Sequence, residues 1–145
     1  YAMNSFSAHF IKVAVDPQTG EFEFLKIVCT GDGGKIVSPK TARSQLIGGA
    51  VGGIGMALTE EALIDPVTGK YLNDTLGSYQ VPRHRDVPFI HTWFPDKPDP
   101  VINPMGSKGV GEIALIGFAS ALTNAIFNAT GKRITKLPVK PGQFI

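Results

Sequence analysis

Cysteine is almost absent from this 145-residue chain, where Cys29 stands alone. One thiol excludes an internal disulfide framework and a self-contained cysteine metal site. Histidine is scarce as well: His9, His84 and His91 follow no zinc-ligand spacing. Charge is thin, with 18% of residues charged and a formal net charge of +2. No block of Lys and Arg interleaved with aromatics is present, so nothing points to nucleic acid as a partner. Long hydrophobic runs are missing too. The most apolar window, residues 46–58, is too short and too rich in glycine to span a bilayer, so no membrane span is expected. The opening Tyr-Ala-Met-Asn-Ser has neither a charged n-region nor an apolar h-region and does not begin with Met, which argues against a signal peptide and fits a fragment or a processed chain.

What is there is a globular composition: 43% hydrophobic residues, enough for one domain with its own core. Gly (17) and Pro (11) are abundant, which predicts many turns and close backbone approaches. Residues 6–15 and 21–29 alternate apolar and polar as strands do, and Asp16-Pro17-Gln18-Thr19-Gly20 between them has the composition of a turn. The expectation is a β-hairpin over 6–29. Ser38-Pro39 reads as a helix start, with Ser as N-cap and Pro at the first helical position. Ile47, Val51, Ile54 and Leu58 then recur at helical spacing, predicting a helix over 40–62. That helix contains Gly48, Gly49, Gly52, Gly53 and Gly55, each costing up to about 1 kcal/mol relative to Ala. Such a cost calls for a compensating contact: another backbone, or a flat ligand, coming very close. No internal repeat and no low-complexity tract are expected.

Residues 63–110 are punctuated by seven prolines, with a short strand expected at 87–94. An irregular stretch of that length is unusual in a compact domain. It reads as a segment that wraps over a body lying outside this chain. A final helix is expected over 113–130, with Leu115, Phe118, Leu122, Ile126 and Ala129 on one face and Gly131 as its C-terminal stop, followed by Lys132 and Arg133. The fold class expected is α+β: a hairpin and additional strands packed against two main helices.

The strongest local signal is Pro104-Met105-Gly106-Ser107-Lys108-Gly109-Val110-Gly111-Glu112. Its glycines let backbone approach a ligand, and it leads into a helix whose first N–H groups suit an anion or an electron-rich cofactor. A carboxylate at that junction can serve as a general base if its surroundings are dry. It can equally be a first-turn acid favoured by the helix dipole, and the pattern alone leaves both readings open. The run is not a P-loop, because no Lys-Ser/Thr follows the last glycine. Gln45, one turn after Thr41, has an amide able to donate to and accept from a heterocycle, or is an exposed helix residue. Asp32 reads as a turn residue, His9 as a strand residue, His84 and His91 as surface or hydrogen-bonded histidines, and Cys29 as buried and inert.

Taken in order, Val-Asp-Pro-Gln-Thr-Gly-Glu (15–21), Thr-Ala-Arg-Ser-Gln-Leu-Ile-Gly-Gly (41–49), Gly-Ile-Gly-Met-Ala-Leu-Thr-Glu-Glu (53–61), Asn-Pro-Met-Gly-Ser-Lys-Gly-Val-Gly-Glu-Ile (103–113) and Asn-Ala-Ile-Phe-Asn-Ala-Thr-Gly-Lys-Arg-Ile (124–134) resemble one family. It is the molybdopterin-binding large subunit of the xanthine dehydrogenase/aldehyde oxidoreductase enzymes, the molybdenum hydroxylases. The likeness covers nearly the whole chain and is most similar to the C-terminal end of the subunit in bacterial three-subunit aldehyde oxidoreductases. One departure is conservative: Ser38-Pro39 stands where the family has Asn-Pro. A second is size, since the family's subunit is several times longer.

The resemblance implies that Glu112 is the catalytic base in oxidation of aldehydes or N-heterocycles such as purines with water-derived oxygen. It implies that Thr41, Gln45, Ser107, Lys108, Gly109, Val110 and Gly111 face a molybdenum–molybdopterin cofactor, in bacteria usually the cytosine dinucleotide form, with no side chain of this chain ligating the metal. Electrons would leave through 2Fe-2S and FAD groups on partner domains or chains. The implied partners are the remainder of the molybdopterin-binding subunit, the iron–sulfur and FAD subunits and a small-molecule substrate. The implied location is cytoplasmic, or periplasmic if the protein is exported with a partner. A chain of this length is expected to be inactive alone. Two other readings stay in view: a non-catalytic stand-alone interaction or assembly module of the same fold, and an unrelated small anion-binding domain.

Overall fold

The computed structural model describes residues 3–145. Two long strands, β1 (Phe6–Val15) and β2 (Phe22–Asp32), form an antiparallel hairpin whose register shifts by a bulge between Lys12 and Val13. The turn between them is built by Asp16. Its carboxylate accepts the N–H groups of Gln18 (2.7 Å) and Thr19 (3.2 Å), and Gly20 closes the loop at φ +71°. The same construction recurs at Asp65-Pro66-Val67-Thr68-Gly69. There Asp65 accepts the Val67 N–H (2.9 Å), and Gly69 takes the left-handed conformation at φ +70°. An Asp-Pro-x-Thr-Gly turn is thus used twice, a short repeat that the sequence reading passes over.

Helix α1 (Pro39–Leu58) follows β2 and lies across the sheet. The chain then runs irregularly to β3 (Ile90–Trp93), which pairs parallel to β2 and completes a three-stranded sheet in the order β1-β2-β3. Two helices close the chain, the single-turn α2 (Ile113–Ile116) and α3 (Phe118–Thr130). The architecture is the α+β one expected, with one strand added to the hairpin. The core lies between one face of the sheet and the helices. It includes Ile27 and Cys29 from β2, Leu46 and Ile54 from α1, Ile90 from β3, and Phe118, Leu122 and Ile126 from α3. Each of the larger buried side chains contributes about 1.5–3 kcal/mol of burial free energy. The other sheet face is bare and carries exposed Phe6, Phe10 and Trp93.

Several boundaries differ from the sequence expectation, each for a local reason. The strand expected over 87–94 is confined to Ile90–Trp93. The helix expected over 40–62 stops at Leu58. There the Gly55 carbonyl takes both the Thr59 and Glu60 N–H groups, while the Ala57 carbonyl accepts from Val139 of the C-terminal tail. Glu60 turns away to accept a hydrogen bond from the Tyr79 hydroxyl (2.9 Å). Ser38 does occupy the N-cap position, but its hydroxyl makes no capping bond. The helix expected over 113–130 is broken at Gly117. At that bend the Ser7 hydroxyl of β1 donates to the Ile113 carbonyl (2.6 Å). The His9 ring fills the space where a side chain on Gly117 would stand. Ile113–Thr130 has the length and mean hydropathy (1.4) of a membrane span, yet it is these two helices, with Phe118, Leu122 and Ile126 turned into the core. Ala129 is exposed instead of joining that face.

The glycines of α1 resolve into separate tasks. The apolar positions fully buried are Leu46, Ala50, Ile54 and Ala57, while Ile47, Val51 and Leu58 are half-buried. Gly49 faces Ala114, where an added Cβ would stand 2.9 Å from the alanine Cβ and 3.1 Å from the Leu115 nitrogen. Gly53 faces the Phe118 side chain, and Gly52 faces Leu115. These three positions let α2 and α3 press directly on the α1 backbone. Gly48 has nothing within 4 Å of an added Cβ. Gly53→Ala is therefore expected to lower stability by about 1–3 kcal/mol through overpacking, whereas Gly48→Ala is expected to raise it by up to about 1 kcal/mol through helix propensity. Urea midpoints of the two variants beside the parent chain check this, and a stabilised Gly53→Ala would contradict the close contact with Phe118.

Candidate functional site

Two shallow clefts meet at Gln45. The first, about 290 Å³, is lined by residues of loop 33–38, by Thr41, Ala42 and Gln45 of α1, and by Ser107, Lys108 and Val110. The second, about 250 Å³, is lined by Ser44, Gln45, Gly48 and Gly49 of α1 and by Gly111, Glu112 and Leu115. The first turns of α1 form one wall of both, and the glycine-rich loop 103–112 forms the other. Of the eight residues singled out from sequence, seven line these clefts. Gly109 lies on neither lining; its carbonyl accepts a hydrogen bond from the Ser5 hydroxyl (2.6 Å).

The loop is held by bonds that the sequence did not announce. Asn103 Oδ1 accepts the N–H groups of Gly106 (2.7 Å) and Ser107 (3.3 Å), and its Nδ2 donates to the Ser107 carbonyl (2.8 Å). Gly106 sits at φ +72°, and its carbonyl accepts from both the Lys35 and Asp99 N–H groups. The Ser107 hydroxyl donates to the Lys35 carbonyl (2.7 Å), and the Lys108 N–H donates to the Gly33 carbonyl (2.8 Å). Loop 103–108 is therefore stitched to the loop that leaves β2, and Gly34, at φ +64°, packs against the Gly106 carbonyl with no room for a side chain.

Glu112 stands at the N-cap position of α2 but makes no capping bond, and its side chain is exposed. The helix behind it is a single turn of four residues, so it offers little dipole to hold an acid. Gln45 and Thr41 are likewise exposed along α1, and Thr41 Oγ1 donates to the Ser38 carbonyl (3.2 Å). Opposite Gln45, a Cβ added to Gly111 would meet its Oε1 at 3.9 Å and nothing nearer. Gly48 and Gly111 thus leave a flat, side-chain-free gap between a carboxylate and a carboxamide. A planar heterocycle with donor and acceptor edges fits that gap. The residues present therefore suit a pterin. Among the described residues, no group of three or more His, Cys, Asp or Glu side chains could hold a metal ion.

Lys108 differs from its neighbours. Its side chain is only 11% exposed, and its ammonium lies 2.8 Å from Asp32 Oδ2 and 3.4 Å from Asp99 Oδ2. Asp32 is thus an ion-pair partner at the end of β2 as well as a turn residue. Asp99 had no signal in the sequence beyond its type, and Asn103 appeared there only as the first residue of the resembling run 103–113. On the far side of α2, burial lowers the His9 imidazole below its ordinary value, opposed by its hydrogen bond to the Ile113 carbonyl. Its Nδ1 lies 3.4 Å from Cys29 Sγ, and burial pushes that thiol up to about 11, so it stays protonated and inert.

The hydrogen bond from Lys108 is the chief reason that the Asp32 carboxyl lies below its ordinary value, and the Asp32 carboxylate in turn raises the Lys108 ammonium. A lowered carboxyl stabilises the fold above its ordinary value of 3.8 and loses that contribution as pH falls through the lower folded value. A raised ammonium keeps its contribution at every pH below 10.5 and loses it as pH climbs through the higher folded value. Amide protection of residues 106–108, corrected for intrinsic rates, is therefore expected to be flat from about pH 5 to about pH 9 and to drop in stronger acid. Asp32→Asn should reduce protection at neutral pH and flatten the acid drop; an unchanged acid profile in that variant would count against the ion pair.

Comparison with known proteins places this geometry. The family description "Molybdopterin cofactor-binding domain" matches residues 1–88. The chain is 41% identical over 139 residues to the aldehyde oxidoreductase molybdenum-binding subunit of Escherichia coli K12, covering 96% of this chain and 19% of that protein. It is 33% identical over 145 residues to the 6-hydroxypseudooxynicotine dehydrogenase complex subunit gamma of Paenarthrobacter nicotinovorans, covering 98% and 18%. Its fold superposes on the aldehyde oxidoreductase of Desulfovibrio gigas with a TM-score of 0.83 at 29% identity, covering 97% of this chain and 15% of that one. The chain spans about a fifth of the length of the curated relatives it matches. The family match stops before the glycine-rich loop, but the alignments with these relatives run through it. With more than half of its length matched by the domain family, and with such relatives, the chain belongs to the molybdopterin cofactor-binding domain family of the molybdenum hydroxylases, of aldehyde oxidoreductase and xanthine dehydrogenase type.

Proposed function

We propose that this chain supplies the catalytic base and one wall of the cofactor site to a molybdenum hydroxylase that oxidises an aldehyde or an N-heterocycle. The observation that carries the reading is the exposed, uncapped Glu112 carboxylate sharing a cleft with Gln45 and the bare backbone of Gly48 and Gly111. When bound, the molybdenum–molybdopterin group supplies the two-electron redox chemistry; in this reading it is the cytosine dinucleotide form.

The cleft geometry supports a role for each residue in this reading. Gln45 offers an N–H donor and a carbonyl acceptor to the edge of the pterin, Thr41 adds a hydroxyl at the neighbouring turn, and Ser107, Lys108, Val110 and Gly111 present backbone to it, while Gly109, off both linings, links them. Glu112 takes a proton from the water-derived nucleophile as it attacks the substrate carbon. In this chain the Glu112 carboxylate is open to water. General-base catalysis by a carboxylate calls for a cleft closed and dried by other protein. The bare sheet face and the exposed Val67, Tyr71, Leu72 and Leu76 of the irregular segment favour that closure. The remainder of the subunit is the partner that supplies it, with 2Fe-2S and FAD groups beyond it as electron acceptors.

Two outcomes test this reading. In the complete enzyme, Glu112→Gln is expected to lower kcat by about 10²- to 10⁴-fold with molybdenum content unchanged, and turnover within a few fold of the parent would remove Glu112 from the role of base. The 145-residue chain purified alone is expected to hold no stoichiometric molybdenum and to turn over no aldehyde or purine. Metal analysis showing about one molybdenum per chain would overturn the dependence on the rest of the subunit.

A further inference from the structure

The tract that carries Glu112 has little of its own to hold it in place. Two of the three residues 109–111 are glycines, the residues with most conformational freedom to lose on ordering. Beyond the single bond from Ser5 to Gly109 and the packing of Val110 against Gly33, restraint comes from the two ends. At the far end, Ser7 Oγ donates to the Ile113 carbonyl at 2.6 Å. At the near end stands Lys108, whose N–H is bonded to Gly33 and whose ammonium joins Asp32 and Asp99. Both acids are fixed in turn: Asp32 accepts the Gly34 N–H at 3.2 Å, and Asp99 accepts the Val101 N–H at 3.0 Å. Lys108 therefore ties the end of β2 and the turn at 99–101 to the start of the glycine tract. With two carboxylates on one ammonium, the cluster has no positive charge left for an anionic ligand.

We infer that Lys108 is a positioning residue for the hydroxylase site: by bridging Asp32 and Asp99 it fixes the backbone of residues 109–111 and the location of Glu112, and its ammonium does not pair with the anionic groups of the cofactor. The inference deepens, and rests on, the reading of Glu112 as base. It separates two roles that the motif alone cannot distinguish, since a lysine in a glycine-rich loop has the look of a phosphate ligand. A shift of Glu112 of about 1 Å is enough to slow the proton transfer strongly without changing what is bound.

The test uses the complete enzyme with its partner subunits. Lys108→Met is expected to lower kcat about 10- to 100-fold and leave KM within about threefold. Molybdenum and pterin content should stay at the parent level, and amide exchange of residues 109–113 should accelerate. Lys108→Arg, which keeps the charge, should restore most of kcat. The double variant Asp32→Asn/Asp99→Asn should reproduce the loss, and Lys108→Met placed on that background should add nothing, as expected of residues acting as one unit. Loss of molybdenum in Lys108→Met but not in the aspartate double variant would overturn the inference, as would unchanged exchange in Lys108→Met. If Lys108→Met does not accumulate, exchange and molybdenum content in the double variant decide the matter in the same directions. An active Glu112→Gln enzyme would remove the base reading, while the exchange and metal readouts would still report whether Lys108 clamps the loop.

Discussion

Everything in the site depends on how closely α2 and α3 approach α1. Gly49 lies against Ala114 and Gly53 against Phe118, with no side chain on α1 to hold the helices apart. Small residues at a helix contact trade propensity for proximity, and here that proximity seats the loop ending in Glu112 beside the first turns of α1. Gln45 and Gly48 sit on those same turns, so one packing contact fixes both walls of the cleft. The tight approach also explains why α2 is so short. The chain must turn sharply at Gly117 to bring Phe118 onto Gly53, and His9 and Ser7 from β1 hold the bend.

The local rules carried much of this. The Asp-Pro-x-Thr-Gly turn, the two strands beside it, the helix begun by Pro39 and the stop at Gly131 all follow from residue chemistry acting over a few positions. Gly131 caps α3 in the left-handed conformation, and its N–H meets the Phe127 carbonyl. The glycine-rich loop and the glycine face of α1 were also visible as places where backbone must come close. What was not legible depends on partners far away in sequence. Nothing near Gly117 reveals that Ser7 and His9, more than a hundred residues earlier, will stand at the bend, one on the Ile113 carbonyl and the other against Gly117. Nothing near Lys108 reveals Asp32. The apolar spacing of α1 pointed to Ile47, Val51, Ile54 and Leu58; Ile54 is buried as expected, yet the rest of the buried line runs through Leu46, Ala50 and Ala57, because the glycines beside that line admit α2 and α3.

The site also shows how one loop divides labour between backbone and side chain. Asn103 spends its whole amide on the turn at Ser107, and Ser107 spends its hydroxyl on Lys35. Polar side chains that look like ligands are thus occupied inside the protein. What remains free to meet a ligand is a carboxamide, a carboxylate and bare peptide. That set discriminates by shape and by hydrogen-bond pattern rather than by charge, which suits a flat heterocycle better than a phosphate.

The parallel pairing of β3 with β2 has a kinetic consequence. Residues 33–89 intervene between the two strands, so their hydrogen bonds form only after a long stretch of chain is closed. The hairpin and α1 contain mainly local contacts and can assemble early, whereas pairings of high sequence separation form slowly. The sheet's third strand immediately precedes the loop that ends in Glu112. The edge that carries Glu112 is therefore expected among the last parts of this domain to take shape as the chain folds.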